Sequence, residues 1–181
     1  SFSDLVDLKP LDALRGIREE DGQLVIGSGT THREIERGEL VAERLPALAA
    51  MTRNVANVRV RSAGTIGGNL CFADPHSDPA TFLLALDAEV ETVRGDGTAR
   101  RMPIRDFVLG PYQTALDPGE ILTSVRLPLA AGALRIAHRK FSVHERPAVT
   151  VTCAASVDGG MLGDVRIAVG SVGPRPVRAR D

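Results

Sequence analysis

Tryptophan is absent from this sequence, tyrosine occurs once and phenylalanine five times. Proteins that stack nucleobases need aromatic platforms and a basic field. Here Lys and Arg number 22 against 23 Asp and Glu, a formal net charge of −1, so nucleic acid is not an expected partner. Cys71 and Cys153 are the only cysteines and neither has a CxxC partner, so this chain alone has no thiolate set for zinc or an iron–sulfur cluster. His32, His76, His138 and His144 show no HExxH or paired metal spacing. No apolar run approaches the ~18 residues of a membrane span, and SFSDLVDLKP lacks the charged-then-apolar pattern of a leader. A reduced, cytoplasmic chain is the resulting expectation.

What is present suffices for a core: 181 residues, 43% of them hydrophobic, fit one domain or two small ones. Leu5 to Leu8 reads as a short buried strand. Alternating runs flank Asp21-Gly22, a pairing that favours a tight hairpin. Thr31 and Glu34 make a capping box for a short helix that Gly38 can end. Apolar residues recur at helical spacing from Leu45 to Val55. A second hairpin is expected at Gly95-Asp96-Gly97, a short helix and turn in RDFVLGPYQT, and a strand in EILTSVRLP. Pro128 to Gly132 is the best domain boundary. Three strands follow, with Asp158-Gly159-Gly160 turning between the last two. Strands joined by hairpin signals and interspersed with helices indicate an α+β fold with an antiparallel or mixed sheet. The chain starts at Ser1 and stops after a Gly-Pro turn, so both ends read as cut.

The stretch SAGTIGGNLCFADPHSD, from Ser62 to Asp78, carries the chemistry. Gly64, Gly67 and Gly68 permit positive φ and close approach to the main chain. Successive N–H groups in such a loop can cradle an anion such as a pyrophosphate. Thr65 adds a hydroxyl, Asn69 an amide, and Asp78 an acceptor for a ribose hydroxyl. The pattern is neither GxGxxG nor a P-loop, and a plain structural turn explains the glycines equally well. Asp78 followed by Pro79 also reads as an N-cap and first helical residue.

SAGTIGGNLCFADPHSDPATFLLALDAEVE closely resembles the signature of the FAD-binding medium subunit of molybdenum hydroxylases, the family of carbon monoxide dehydrogenase and bacterial xanthine dehydrogenases. LVDL, LVIGSGTTHREIE, LPALAAMTRNVANVRVRSAGTIGGN and PIRDFVLGPYQTALDPGEILTSVRLP resemble further family segments in order. HRKFSVHERPAVTVTCAAS and DVRIAVGSVGPRPVRA are similar to the opening of its C-terminal domain. The resemblance implies an FAD-binding domain over residues 1–130, lacking its N-terminal part, with the start of a small α+β C-terminal domain over 131–181. It implies FAD contacts at Thr65, Gly67, Gly68 and Asn69 near the diphosphate, at Ser77 and Asp78 on FAD hydroxyls, and at Phe72, with Asp74 less firmly. Leu122 falls near the flavin or adenine. Lys140 matches a lysine reaching the flavin ring, where a cation stabilises the reduced cofactor; a solvated strand end is the plain alternative. Arg59 and Arg61 are expected to be solvated surface residues.

The implied role is electron transfer, with no catalytic residue and no metal on this chain. The resemblance implies an iron–sulfur small subunit bearing [2Fe–2S] clusters and a large subunit bearing the molybdenum cofactor. It also implies a dimer of heterotrimers, and passage of electrons through FAD to NAD+, quinone or oxygen. The family's front segment supplies the other half of the pyrophosphate site, and this sequence has no counterpart to it. Two alternatives stand beside this: a flavin-free scaffold of the same complex, and another FAD enzyme of the vanillyl-alcohol-oxidase type. Enzymes of the latter kind usually supply a histidine or cysteine for covalent flavin attachment, for which Cys71 and His76 are the candidates here, or extra active-site residues.

Overall fold

A computed structural model describes residues 4–129, 134–143 and 146–179. After a 3-10 turn at Asp12–Leu14, β1 (Ile17–Glu20) and β2 (Gln23–Gly27) form the expected hairpin. Asp21 and Gly22 turn it with φ of 51° and 72°, the paired left-handed conformation that matches strand twist. Five short helices follow: α1 (His32–Arg37), α2 (Glu39–Arg44), α3 (Pro46–Thr52), α4 (Val58–Ala63) and α5 (Ile66–Phe72). The Thr31–Glu34 capping box starts α1 and Gly38 ends it. Asn57 caps α4 by accepting from the Arg59 and Val60 N–H groups at 3.0 and 3.1 Å.

Helix α6 (Asp78–Ala85) is buried along all eight residues. It packs on α3 and α5 on one side and on the second sheet on the other. A helix closed in on every side has no polar face, which accounts for the apolar run FLLA at Phe82–Ala85. Next come β3 (Glu89–Arg94), β4 (Ala99–Pro103), α7 (Ile104–Phe107), β5 (Val108–Gly110), β6 (Gln113–Thr114) and β7 (Glu120–Pro128). The second sheet holds β8 (Leu134–Val143), β9 (Arg146–Asp158), β10 (Met161–Gly170) and β11 (Val177–Arg178).

The first sheet has the order β1-β2-β7-β3-β4 and the second β11-β10-β9-β8, with a small β5-β6 pair beside them. Every pairing among the described residues is antiparallel, so the fold is α+β. One apolar cluster runs through both sheets, from Leu24, Ile26 and Val125 through Phe82 and Leu83 to Ala154 and Ala168. Ala130 to Gly132, in the expected boundary, lie outside the described residues, as does His144. No helix among the described residues is long and apolar enough to cross a membrane.

Three expectations change. Leu5 and Val6 are not a buried strand: they are 91% and 82% exposed, with no strand beside them among the described residues. Arg59 is exposed, but Arg61 is not solvated. Its Nε donates to Glu36 Oε2 at 3.0 Å and its Nη1 to the Val55 and Ala56 carbonyls at 3.0 and 3.1 Å. It ties the turn before α4 to α1. Helices α2, α4 and α5 also appear where the spacing gave no helix, because each is too short to show a period.

Two buried titratable groups fix how the fold responds to acid. Burial and the nearby Arg61 charge push the His32 imidazole down to about 4. Hydrogen bonds from Arg100, then from the Asp117 N–H and Thr92, hold Glu120 at about 2 against the cost of burial. In both cases the unfolded chain takes up its proton first as pH falls, so acid favours unfolding. The His32 contribution is complete above about pH 6.5 and is lost towards pH 4, up to roughly 3 kcal/mol. The Glu120 contribution is lost from about pH 4.5 downward. Denaturant midpoints measured from pH 7 to 4 are expected to fall, and His32→Leu to flatten that limb.

Candidate functional site

The glycine stretch is a helix start. Thr65 is the N-cap of α5 and its Oγ1 accepts from the Gly68 N–H at 3.0 Å. An antiparallel bridge pairs Thr65 with Thr31 and sets the end of α5 against the loop after β2. The Ile66 N–H donates to the Thr30 carbonyl at 3.0 Å, Gly67 to Ser28 at 2.9 Å and Asn69 to Thr65 at 3.0 Å. These N–H groups are therefore spent inside the protein, and they do not form the anion cradle expected from the sequence. Gly64, Gly67 and Gly68 also have no positive φ.

Close approach explains the glycines instead. A Cβ on Gly67 would stand 2.5 Å from Ser28 Cβ and 2.7 Å from its carbonyl oxygen. A Cβ on Gly68 would meet only Thr65 Oγ1, at 3.0 Å. Gly67 thus faces the protein and Gly68 faces a cleft of about 460 Å³, which Ser28, Gly29, Gly64, Thr65 and Leu122 help to line. Thr65 Oγ1 accepts one bond here, so its hydroxyl hydrogen remains to donate into the cleft. Leu122, on β7, is 3% exposed and forms an apolar wall.

Asn69, Ser77, Asp78 and Lys140 gather apart from that cleft. Ser77 Oγ donates to Asn69 Oδ1 at 2.6 Å. Asp78 does not cap α6: Ser77 holds the N-cap position without a side-chain bond, and Asp78 is the first helical residue. Its carboxylate is 5% exposed, and Oδ2 accepts from Lys140 Nζ at 2.9 Å. Lys140 also donates to the Asn54 carbonyl, so it is not a solvated strand end. Asp78 Oδ1 and His138 Nε2 are both buried without a hydrogen-bond partner and lie 3.7 Å apart. Asp74 accepts from the His76 N–H at 2.9 Å and pairs with Arg146 at 3.4 Å. Phe72 is exposed and packs edge-on against Tyr112 at 5.1 Å.

Neither candidate covalent anchor is suited to the task. Cys71 lines the cleft, but burial pushes its thiol up to about 11, so it stays protonated and weakly nucleophilic at neutral pH. His76 Nδ1 is bonded to the Pro147 carbonyl at 2.9 Å and the ring is not in the cleft wall. Among the described residues no group of three or more His, Cys, Asp or Glu side chains is placed to hold a metal ion.

Sequence reasoning missed Ser28 and Gly29 as cleft residues and His138 as a neighbour of Asp78. GSGT carried a signal for the first pair. For His138 the signal was the two-residue strand period, which sets it on the same face as Lys140.

The two adjacent glycines give opposite expectations. Gly67→Ala drives a methyl into Ser28 and should cost about 1–3 kcal/mol. Gly68→Ala should leave the thermal midpoint unchanged or slightly raised, because Ala is the better helix former, while narrowing the cleft. Thermal melts of the two variants separate these roles.

The family described as FAD binding domain in molybdopterin dehydrogenase matches residues 1–130. The carbon monoxide dehydrogenase medium chain of Hydrogenophaga pseudoflava is 32% identical over 176 residues, covering 96% of this chain and 61% of that one. The xanthine dehydrogenase FAD-binding subunit of Escherichia coli O157:H7 is 33% identical over 184 residues, covering 99% and 63%. This chain therefore spans about three-fifths of the length of these relatives. Among solved structures, a cyanide-inactivated Cu,Mo-CO dehydrogenase superposes with a TM-score of 0.90 at 30% identity, covering 95% of this chain and 60% of that one. With the match over residues 1–130, this chain belongs to the family of FAD binding domains in molybdopterin dehydrogenases.

Proposed function

We propose that this chain is the FAD-binding part of the medium subunit of a molybdenum-containing hydroxylase or dehydrogenase. Residues 1–130 are its FAD-binding domain and 131–181 the opening of its C-terminal domain. The observation that carries this is the cleft at α5, whose wall is stripped of side chains at Gly68 inside the segment the family matches. Bound FAD would supply storage of electrons arriving from iron–sulfur clusters and their release to NAD+, a quinone or oxygen.

The residues present fit that cofactor. Gly68 lets a diphosphate approach the backbone, and the Thr65 hydroxyl can donate to it. Gly67 holds α5 against the Ser28 loop, so the approach stays open. Asn69 and Ser77, bonded to each other, belong to a second polar group outside the cleft wall, with Asp78. Asp78 Oδ1, buried and unpartnered, has the acceptor capacity an FAD hydroxyl requires. Leu122 excludes water from the cleft wall, while Phe72 and Tyr112 form an exposed aromatic pair outside that wall. Lys140 has two of its three N–H groups engaged, which leaves one for the flavin ring. A cation there favours the reduced, more negative cofactor. The molybdenum cofactor and [2Fe–2S] clusters sit on partner subunits, in a dimer of heterotrimers.

Flavin fluorescence tests this on the full-length protein titrated with FAD. One FAD per chain is expected, released entirely by acid precipitation because no thioether forms. Gly68→Val should weaken binding at least ten-fold, about 1.4 kcal/mol, with little change in thermal midpoint. Absence of FAD binding, alone and with partner subunits, would instead favour the flavin-free scaffold.

A further inference from the structure

His138 is a buried imidazole with no role in the site described so far. Its side chain is 6% exposed and Asp78's is 5%. Nδ1 lies 2.8 Å from Oγ1 of Thr152, a fully buried residue on β9. The Phe82 ring lies edge-on at 6.2 Å and 61°, which limits how the imidazole can turn. Nε2 points at the unpartnered Asp78 Oδ1 across 3.7 Å.

Two neutral tautomers are open to this ring. With the proton on Nδ1, the bare Nε2 lone pair would face a carboxylate, and two buried acceptors would repel. With the proton on Nε2, it is directed at Oδ1, and Thr152 donates its hydroxyl hydrogen to Nδ1. The second arrangement gives each group a partner of the right kind. At 3.7 Å the Nε2–H and the carboxylate make an electrostatic contact longer than a hydrogen bond, so both lone pairs of Oδ1 remain unshared.

We propose that His138 is a positioning residue of the cofactor site: with Thr152 behind it, it holds Asp78 through Oδ1, and Asp78 through Oδ2 holds the Lys140 ammonium in place. The juxtaposition behind this is a line of four side chains, Thr152, His138, Asp78 and Lys140, running from the second sheet to Asp78 in the first turn of α6 and back to β8 at Lys140. Lys140, at 22% side-chain exposure, is the most exposed of the four. Asp78 and the Asn54 carbonyl take two of its N–H groups. The third is thereby aimed outward at an electron-rich acceptor of the bound ligand. His138 does not touch the ligand; it acts by fixing the carboxylate that fixes the lysine. This rests on the FAD reading above.

Two measurements on the full-length protein test it. The first is the histidine 15N–1H correlation pattern, which reports the tautomer without any cofactor. His138 is expected to carry its proton on Nε2, and a proton on Nδ1 with bare Nε2 overturns the proposal whether or not FAD binds. The second is the midpoint potential of bound FAD in His138→Leu, His138→Gln and Arg139→Ala, the last a control on the opposite strand face. His138→Leu frees Asp78 and Lys140. Reduced FAD should then lose about ten-fold more affinity than oxidised FAD, a fall of about 30 mV for a two-electron couple. His138→Gln, whose amide can still donate to Oδ1, should keep the affinity ratio within about two-fold, and Arg139→Ala should not change it. Equal losses in the Leu and Gln variants, or no loss in either, overturn the positioning role while leaving FAD binding intact. Failure of the unmodified protein to bind FAD, alone and with partner subunits, overturns the proposed function and this inference with it.

Discussion

A carboxylate in the interior needs a cation, and much of this architecture follows from the one at Asp78. Desolvating an ionised group costs several kcal/mol unless charge and hydrogen bonds offset it. Asp78 is set by the entry into α6, a helix with no exposed face. Its cation arrives from Lys140, on the first strand of the second sheet. The ion pair thus joins the helical layer to that sheet at the point where apolar packing on α6 begins. The apolar cluster supplies most of the cohesion there, but it is not directional. The charge pair and the Thr150–Thr81 contact at 3.2 Å fix the register in which α6 and the sheet meet.

A second constraint acts at α5. The helix must lie against the Ser28 loop closely enough for its own backbone to bond Ser28, and only glycine at position 67 allows that. The next residue, one helical step round, looks the other way. Two identical residues therefore do different work: one closes the protein against itself, and the other leaves a surface unclosed. The polar groups of the loop are satisfied internally, so the cleft is shaped by missing side chains more than by waiting donors.

The hairpins were legible in the sequence because their turns depend on two residues with special backbone needs, as at Asp21-Gly22. The capping box before α1 was legible for a similar reason, since both partners lie within four residues. Helices α4 and α5 were not, because each is barely two turns long and is held by Asn57, Thr65 and tertiary bridges rather than by an apolar period. The glycine stretch reads in sequence as an anion cradle, whereas in the fold its N–H groups are bonded inside the protein. Sequence marks where glycine stands, not whether positive φ or close approach requires it. Asp78 looked like a cap because capping is local, and Lys140 lies 62 residues away. Arg61 looked solvated because its partners, Glu36 and two carbonyls, are brought to it by folding. The resemblance named the family; the approach of His138 to Asp78 is made only by folding, since the two lie on separate elements.

Strand β7 sits at the centre of the first sheet, yet it is that sheet's last strand in the chain. Its neighbours, β2 and β3, have no bond to each other and are separated by the whole helical layer. During synthesis from the N-terminus, the two early hairpins emerge as separate pieces with open edges, and nothing joins one to the other in the sheet until residues 120–128 have left the ribosome. Leu122 lies in that strand, so the cleft gains its back wall only then. A nascent chain halted before β7 would hold the glycine helix and no pocket behind it, and its exposed strand edges would be a hazard for aggregation. The cleft is therefore completed late by construction, as the strand order dictates.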